Sequence, residues 1–230
     1  MVDALDGPLS PEQQRVLGSL AEKEATVPDT YPMTLRGLQT ACNQKNNREP
    51  VTDLDEATIQ RVLDELKARN LARFVYASHG ARTTKFRHVL HERLRLEPAE
   101  LALLTVLLLR GPQTVNELRT RTERAHAFAD NDEVVVTLEA LAGRDDPIVV
   151  HLPRQPGQKE TRWMHLLGDA DVEALAAEGE RVPEPAAAPP TVAGAGLEAR
   201  VAELERRVAE LEALLTAPSP STPDRESPTS

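Results

Sequence analysis

The sequence predicts a mainly α-helical protein with small β-hairpins, in which one structural unit is used twice. Three observations predict it. Amphipathic stretches with helix-start signals come in sets of three, each set closes in two short alternating runs around a glycine-containing turn, and the whole order returns after residue 95. Aromatic residues make up only 3% of the chain, so the cores must rest on Leu, Val and Ala.

In LSPEQQRVLGSLAEKE, Ser10 stands at the N-cap and Pro11 at the first helical position, where a missing N–H is tolerated; Val16, Leu17, Leu20 and Ala21 share one side. YPMTLRGLQTACN predicts a short second helix capped by Thr34, with Leu35, Leu38 and Cys42 on one face. TDLDEATIQRVLDELKARN places Ile59, Val62, Leu63 and Leu66 at the spacing of a half-buried third helix. LARFVYA and ARTTKFRHV then flank a Ser-His-Gly turn and read as a hairpin, with Phe74, Tyr76 and Phe86 expected on its packing face.

The second copy follows the same order. LEPAELALLTVLLLRG puts a proline at the start of an apolar helix and Gly111 at its end, where a left-handed residue terminates it. QTVNELRTRT matches the short second helix, with Thr114, Val115 and Leu118 in the places of Thr34, Leu35 and Leu38. DNDEVVVTLEALAGRDD matches the third through Leu138 and Leu141, and IVVHLPRQPGQKETRWMHLL closes in a second hairpin around Pro156-Gly157. Three short helices followed by a hairpin is the order of a winged helix-turn-helix, whereas a plain three-helix bundle leaves both hairpins unexplained. The expected architecture is therefore a pair of tandem winged helix-turn-helix domains, residues 1–95 and 96–168, plus a C-terminal coiled-coil helix.

Residues 169–196 turn rich in Ala, Pro, Glu and Gly and predict a disordered linker. Within 197–216, Leu197, Val201, Leu204, Val208, Leu211 and Leu215 alternate four and three apart, the seam of a short coiled coil. Valine at a and leucine at d favour a parallel homodimer; the competing expectation is an amphipathic helix folded back on the domains. The Ser/Thr/Pro-rich residues 217–230 predict a disordered tail.

Composition narrows the function. No apolar run approaches the roughly 18 to 20 residues that span a bilayer, and the start lacks the pattern of a secretory signal, so a cytoplasmic protein without membrane contact is expected. One cysteine, Cys42, can form neither an internal disulfide nor a cysteine metal cage. The net charge of -10 opposes nucleic acid at first sight, yet residues 169–230 hold thirteen acidic against five basic side chains, while residues 1–95 hold fourteen basic against thirteen acidic. A local basic patch stays open. His88 and His91 have metal-like spacing but no matching third ligand in the sequence, and read as surface histidines. With no catalytic constellation, an enzyme, a cofactor and a bound metal are not expected.

The segment ACNQKNNREP, between the second and third helices, carries the first candidate site. Lys45 and Arg48 are able to pair with phosphate and Asn46 and Asn47 to donate to it; equally, asparagines suit helix ends and turns, Arg48 is able to pair with Glu49, and Pro50 ends the preceding structure. The first hairpin adds Arg73, His79, Arg82, Lys85 and Arg87, the densest positive region, able to lie along a DNA backbone or simply to keep an edge solvated. Asp53, Asp55 and Glu56 crowd the start of the third helix, which opposes its entry into a groove. The second copy reads as the weaker DNA partner, and its apolar first helix as buried against the other copy or another chain.

TVPDTYPMTLRGLQTACNQKNNREPV and LLTVLLLRGPQTVNELRTR resemble the hallmark segments of the YceH-like family of bacterial tandem winged-helix proteins, and the match runs from about residue 9 to 167. The resemblance implies the fold and supplies no reaction, ligand or site residue. Two functions are expected: binding of double-stranded DNA through Lys45, Arg48, Asn46, Asn47, Arg82, Lys85 and Arg87, in regulation or chromosome maintenance; or gripping of a protein partner, as scaffold subunits of chromosome-segregation complexes do.

Overall fold

The computed structural model of the chain describes residues 5–76, 83–154, 158–169 and 206. Helix α1 spans Pro11–Thr26 and starts in a capping box, in which Ser10 accepts from the Gln13 amide and Gln13 reaches back to the Ser10 amide. After a 3-10 turn at Pro28–Thr30 come strand β1 (Met33–Thr34), α2 (Leu35–Cys42) and α3 (Glu56–Ala68). Thr34 caps α2 and Asp55 caps α3. Strands β2 (Ala72–Val75) and β3 (Lys85–His88) form the first hairpin, and β1 adds to it in the antiparallel order β1-β3-β2.

A short helix α4 (Leu90–Leu94) leads into the second copy: α5 (Pro98–Arg110), α6 (Val115–Thr122), α7 (Asn131–Ala142), β4 (Val149–Leu152) and β5 (Arg162–His165). Gly111 ends α5 at φ 70°, a conformation that a side chain resists. The described chain is thus mainly helical with two small antiparallel sheets.

The repetition extends to single hydrogen bonds. Met33 pairs with Phe86 just before the Thr34 cap, and Gln113 pairs with Trp163 just before the Thr114 cap. Val89 N–H donates to the Leu71 carbonyl, and Leu166 N–H to that of Ile148. At the end of each second hairpin strand a buried histidine accepts at Nδ1 from the amide two residues on, His88 from Leu90 and His165 from Leu167.

The two repeats meet through their first helices. Residues Ala102–Leu109 of α5 are all buried, by α1 on one side and by α6, α7 and β5 of their own repeat on the others. Contact is close because Gly18 lacks a side chain: a Cβ there would lie 2.9 Å from Cγ and Cδ2 of Leu109 and 3.2 Å from Cβ of Leu108. Glu49 N–H donates to the Leu109 carbonyl at 2.9 Å, and Leu9 N–H to that of Leu167 at 2.7 Å, so the loop after α2 and the arm before α1 both bridge the repeats.

The chain divides into two units, Met1–Val182 and Pro183–Ser230; of the stretch 169–196 expected as a linker, all but Asp169 lies outside the described residues. The expected seam residues Leu197, Val201, Leu204, Val208, Leu211 and Leu215 lie outside the described residues, as do His79 and Arg82; Arg206, which is described, is helical. No helix among the described residues is long and apolar enough to cross a membrane.

Three details depart from the sequence expectation. Tyr76 was placed on the packing face of the hairpin but is 68% exposed, because β2 ends at Val75 and the alternation stops there. Phe74 and Phe86 do pack, edge to face at 4.9 Å. Strand β1 and helix α4 carry no periodic signal, being two and five residues long.

Candidate functional site

The loop between α2 and α3 is held by Arg48, and it is held from inside. Arg48 is 4% exposed. Its Nη1 donates to Glu22 Oε1 at 3.0 Å and to the Asn47 carbonyl at 2.8 Å; Nη2 donates to Glu22 Oε2 at 2.7 Å and Nε to the Ala41 carbonyl at 3.1 Å. Burial works to raise the Glu22 carboxyl, but the Arg48 hydrogen bonds and charge, helped by Lys23, hold it below the usual carboxylate range. Arg48 is therefore a positioning residue with its guanidinium turned away from solvent, which corrects its assignment as a phosphate contact. Its partner is Glu22 of α1, not the adjacent Glu49.

Pinning Arg48 turns its neighbours outward. Lys45, Asn46 and Asn47 are exposed and line a cleft of about 380 Å³ between the repeats. Lys23 of α1 adds a cation from the first repeat; Arg110, Arg121 and Arg124 add three from the second. Ala102, Val106 and Leu109 give the cleft an apolar floor, and the exposed Ala125 stands at its edge. Among the lining residues Glu22 is the single carboxylate. Arg110 donates to Asn47 Oδ1 at 2.6 Å, tying the two repeats across the cleft, and burial followed by the nearby Arg121 charge holds its guanidinium below the usual range. Arg121 pairs with Glu117 at 3.2 Å, whereas Lys45 and Arg124 are exposed and make no ion pair among the described residues.

Part of this positive charge belongs to the helices themselves. The C-terminal ends of α1, α2, α5 and α6 all face the cleft, and each carries about half a negative charge on its unpaired carbonyls. Arg48 cancels Glu22, Arg162 at 3.0 Å cancels the Glu117 that Arg121 also meets, the four helix ends offset about two of the five cations, and about three positive charges remain. The cleft can therefore hold an anion.

The first hairpin is less available. Arg73 and Arg87 both pair with Glu92, at 2.9 and 2.5 Å, and Lys85 is half-buried. At the start of α3, Asp55 serves as the cap, accepting from Thr58 N–H at 2.7 Å. The second repeat, expected to be the weaker partner, supplies three of the five cleft cations.

His88 is not a surface residue. It is fully buried, and because Nδ1 accepts from Leu90 N–H at 3.2 Å, the ring proton sits on Nε2 and donates to Glu24 Oε2 at 2.6 Å. A ligand atom of His91 lies within 4.8 Å of these two, so Glu24 of α1 is the third group that the sequence spacing did not show, and His88 links β3 to α1. Cys42 is buried and its thiol is pushed up to about 11 by burial, which suits the small apolar role expected of it.

The family described as "Protein of unknown function, DUF480" matches residues 9–158. The chain belongs to this family. A UPF0502 protein of Geobacter sulfurreducens is 53% identical over 167 residues, covering 72% of this chain and 75% of that protein. Another, from Pseudomonas paraeruginosa, is 48% identical over 200 residues, covering 86% of this chain and 87% of the relative. The region matched to DUF480 includes both repeats' first three helices, and so every residue that lines the cleft. The resemblance to YceH-like bacterial proteins is consistent with membership of this family.

Proposed function

We propose that this DUF480 protein is a tandem winged-helix protein without enzymatic activity that binds double-stranded DNA by its phosphate backbone, in a regulatory or chromosome-maintenance role. The observation that carries this is the convergence of Lys23, Lys45, Arg110, Arg121 and Arg124 on one cleft whose single carboxylate is already neutralised. Three helices and a hairpin in the same order twice, with the residue before each second-helix cap bridged to the hairpin, by strand β1 in the first repeat and by the lone Gln113–Trp163 bridge in the second, support the winged-helix assignment. Backbone contact rather than base readout fits, because acidic groups occupy the start of both third helices, at Asp55 and Glu56 and at Asp130, Asp132 and Glu133.

The alternative is a scaffold that grips a protein partner through its paired winged helices, a reading that the acidic net charge of -10 favours; within it, the apolar α5 is not a free docking face, because it packs against α1 of the same chain. On sequence grounds the seam from Leu197 to Leu215 adds self-association through paired C-terminal helices, and light scattering at tens of micromolar that gives a monomeric mass removes that part.

The test is fluorescence anisotropy of a labelled mixed-sequence duplex titrated with the full chain from about 50 to 200 mM salt. Affinity falls steeply with salt, and Lys45→Ala and Arg124→Ala each flatten the log-log slope by about 0.9. Both side chains are exposed, so neither change disturbs the fold. Absence of binding at low salt, or an unchanged slope in both variants, rejects the proposal.

A further inference from the structure

The cleft has two parts that a phosphate backbone alone does not account for. Its rim is cationic, but its floor is formed by the buried Ala102, Val106 and Leu109, with Ala125 at the edge, and the volume of about 380 Å³ is in the range of small-molecule sites. Between rim and floor stand amide and hydroxyl groups. Gln44 Oε1 accepts from both Lys23 and Arg48, which leaves its NH2 as a donor without a partner among the described residues. Thr105, at the cleft lining, donates its hydroxyl proton to the Leu101 carbonyl one turn back, which leaves its oxygen to act as an acceptor.

Cationic rim, polar middle and apolar floor are ordered as the parts of a nucleotide are. A base has an apolar face and an edge of donors and acceptors; its phosphates carry the charge. The rim's excess of about three positive charges, after the helix ends are counted, exceeds what a monophosphate neutralises and matches two or more phosphates. Each repeat supplies part of the ligand's surroundings, Lys45 and Gln44 from one and Arg110, Arg121 and Arg124 from the other, so an occupant bridges the two.

We infer that the cleft seats a nucleoside di- or triphosphate, its phosphates on Lys45, Arg110, Arg121 and Arg124 and its base over Val106 and Ala125. The ligand shares Lys45 and Arg124 with the proposed DNA contact, so it competes with the duplex; that competition rests on the nucleic-acid proposal, while the seating of the nucleotide does not.

The experiment is isothermal titration of the full chain in magnesium-free buffer with ADP, and in parallel with pyrophosphate, AMP and adenosine. ADP binds, AMP and pyrophosphate bind about tenfold more weakly or worse, and adenosine gives no heat. Ala125→Trp fills the base end of the cleft from an exposed turn and removes the advantage of ADP over pyrophosphate, while pyrophosphate binding itself persists. Lys45→Ala together with Arg124→Ala weakens both. Pyrophosphate binding as tightly as ADP, or ADP affinity unchanged by Ala125→Trp, overturns the inference. If ADP binds and duplex does not, only the nucleic-acid proposal fails; if duplex binds with the stated salt slope and ADP gives no heat, only the nucleotide site fails.

Discussion

Replacing Arg48 by methionine separates a side chain that holds the fold from one that touches a ligand. Methionine approximates the buried stem of arginine but carries no donors, so the variant loses bonds to the Ala41 and Asn47 carbonyls and strands the Glu22 carboxylate at a site where its side chain is 17% exposed. Breaking a buried ion pair by removing one partner costs about 3–5 kcal/mol. Here the lower end applies, because Lys23 Nζ stays within 3.1 Å of Glu22 and compensates part of the orphaned charge. A loss of about 3 kcal/mol lowers Tm by about 6–12 °C in a domain of this size. Urea denaturation followed by circular dichroism measures it, and Glu22→Gln combined with Arg48→Met recovers part of the loss because no buried charge is left unpaired. A drop in stability below about 1 kcal/mol, the range of an ordinary surface change, would refute the buried role. If stability held while DNA affinity collapsed, Arg48 would be a ligand contact after all.

Gly18 and His165 give two further tests. Gly18→Leu forces a side chain into the 2.9 Å gap to Leu109 and opens the junction between α1 and α5, at a cost of about 1–3 kcal/mol; Gly18→Ala costs less because better helix propensity returns up to about 1 kcal/mol. Thermal melts of both rank them, and equal Tm values for Gly18→Leu and the parent would contradict the tight packing. His165 is 4% exposed, and burial lowers its pKa to about 4. The unfolded chain takes up that proton near the ordinary value of about 6.5 while the folded chain does not, so the stability is whole above pH 6.5 and falls between 6.5 and about 4. The loss amounts to about 3 kcal/mol at the acid end, and His165→Asn flattens the curve of stability against pH across that window; an unchanged curve refutes the assignment.

Periodicity made the helices legible before any coordinates. Ile59, Val62, Leu63 and Leu66 are fully buried, and Thr34 and Thr114 cap the helices that follow them. The apolar α5 announced its burial and left its cover open between the other copy and another chain. What the sequence could not announce is which polar groups meet. Glu22 and Arg48 belong to different elements, and the propensities of a charged residue in a loop favour solvent or a neighbour such as Glu49; only the packing of α2 on α1 brings the guanidinium under Glu22. The same holds for His88, whose spacing to His91 suggested a surface pair while its partner, Glu24, sits on α1. The cleft was illegible for a further reason. Lys45 was already a candidate, but Lys23, Arg110, Arg121 and Arg124 lie on separate elements of the two copies, and the five become a site because the first helices pack together and turn four helix ends to one side.

That arrangement also reconciles an acidic protein with an anion site. At physiological ionic strength exposed charges beyond about 8 Å are largely screened, so an incoming phosphate responds to the cleft lining and hardly to the net charge of -10. Within the lining, helix C-termini demand cations for their own stability, and a fold that gathers four of them must gather positive side chains or leave carbonyls repelling one another. Capping accounts for part of the positive charge but leaves Lys45 and Arg124 over, exposed and without acidic partners among the described residues. Those two side chains mark where structural need ends and ligand binding begins: their removal should leave Tm unchanged and weaken every anion the cleft accepts.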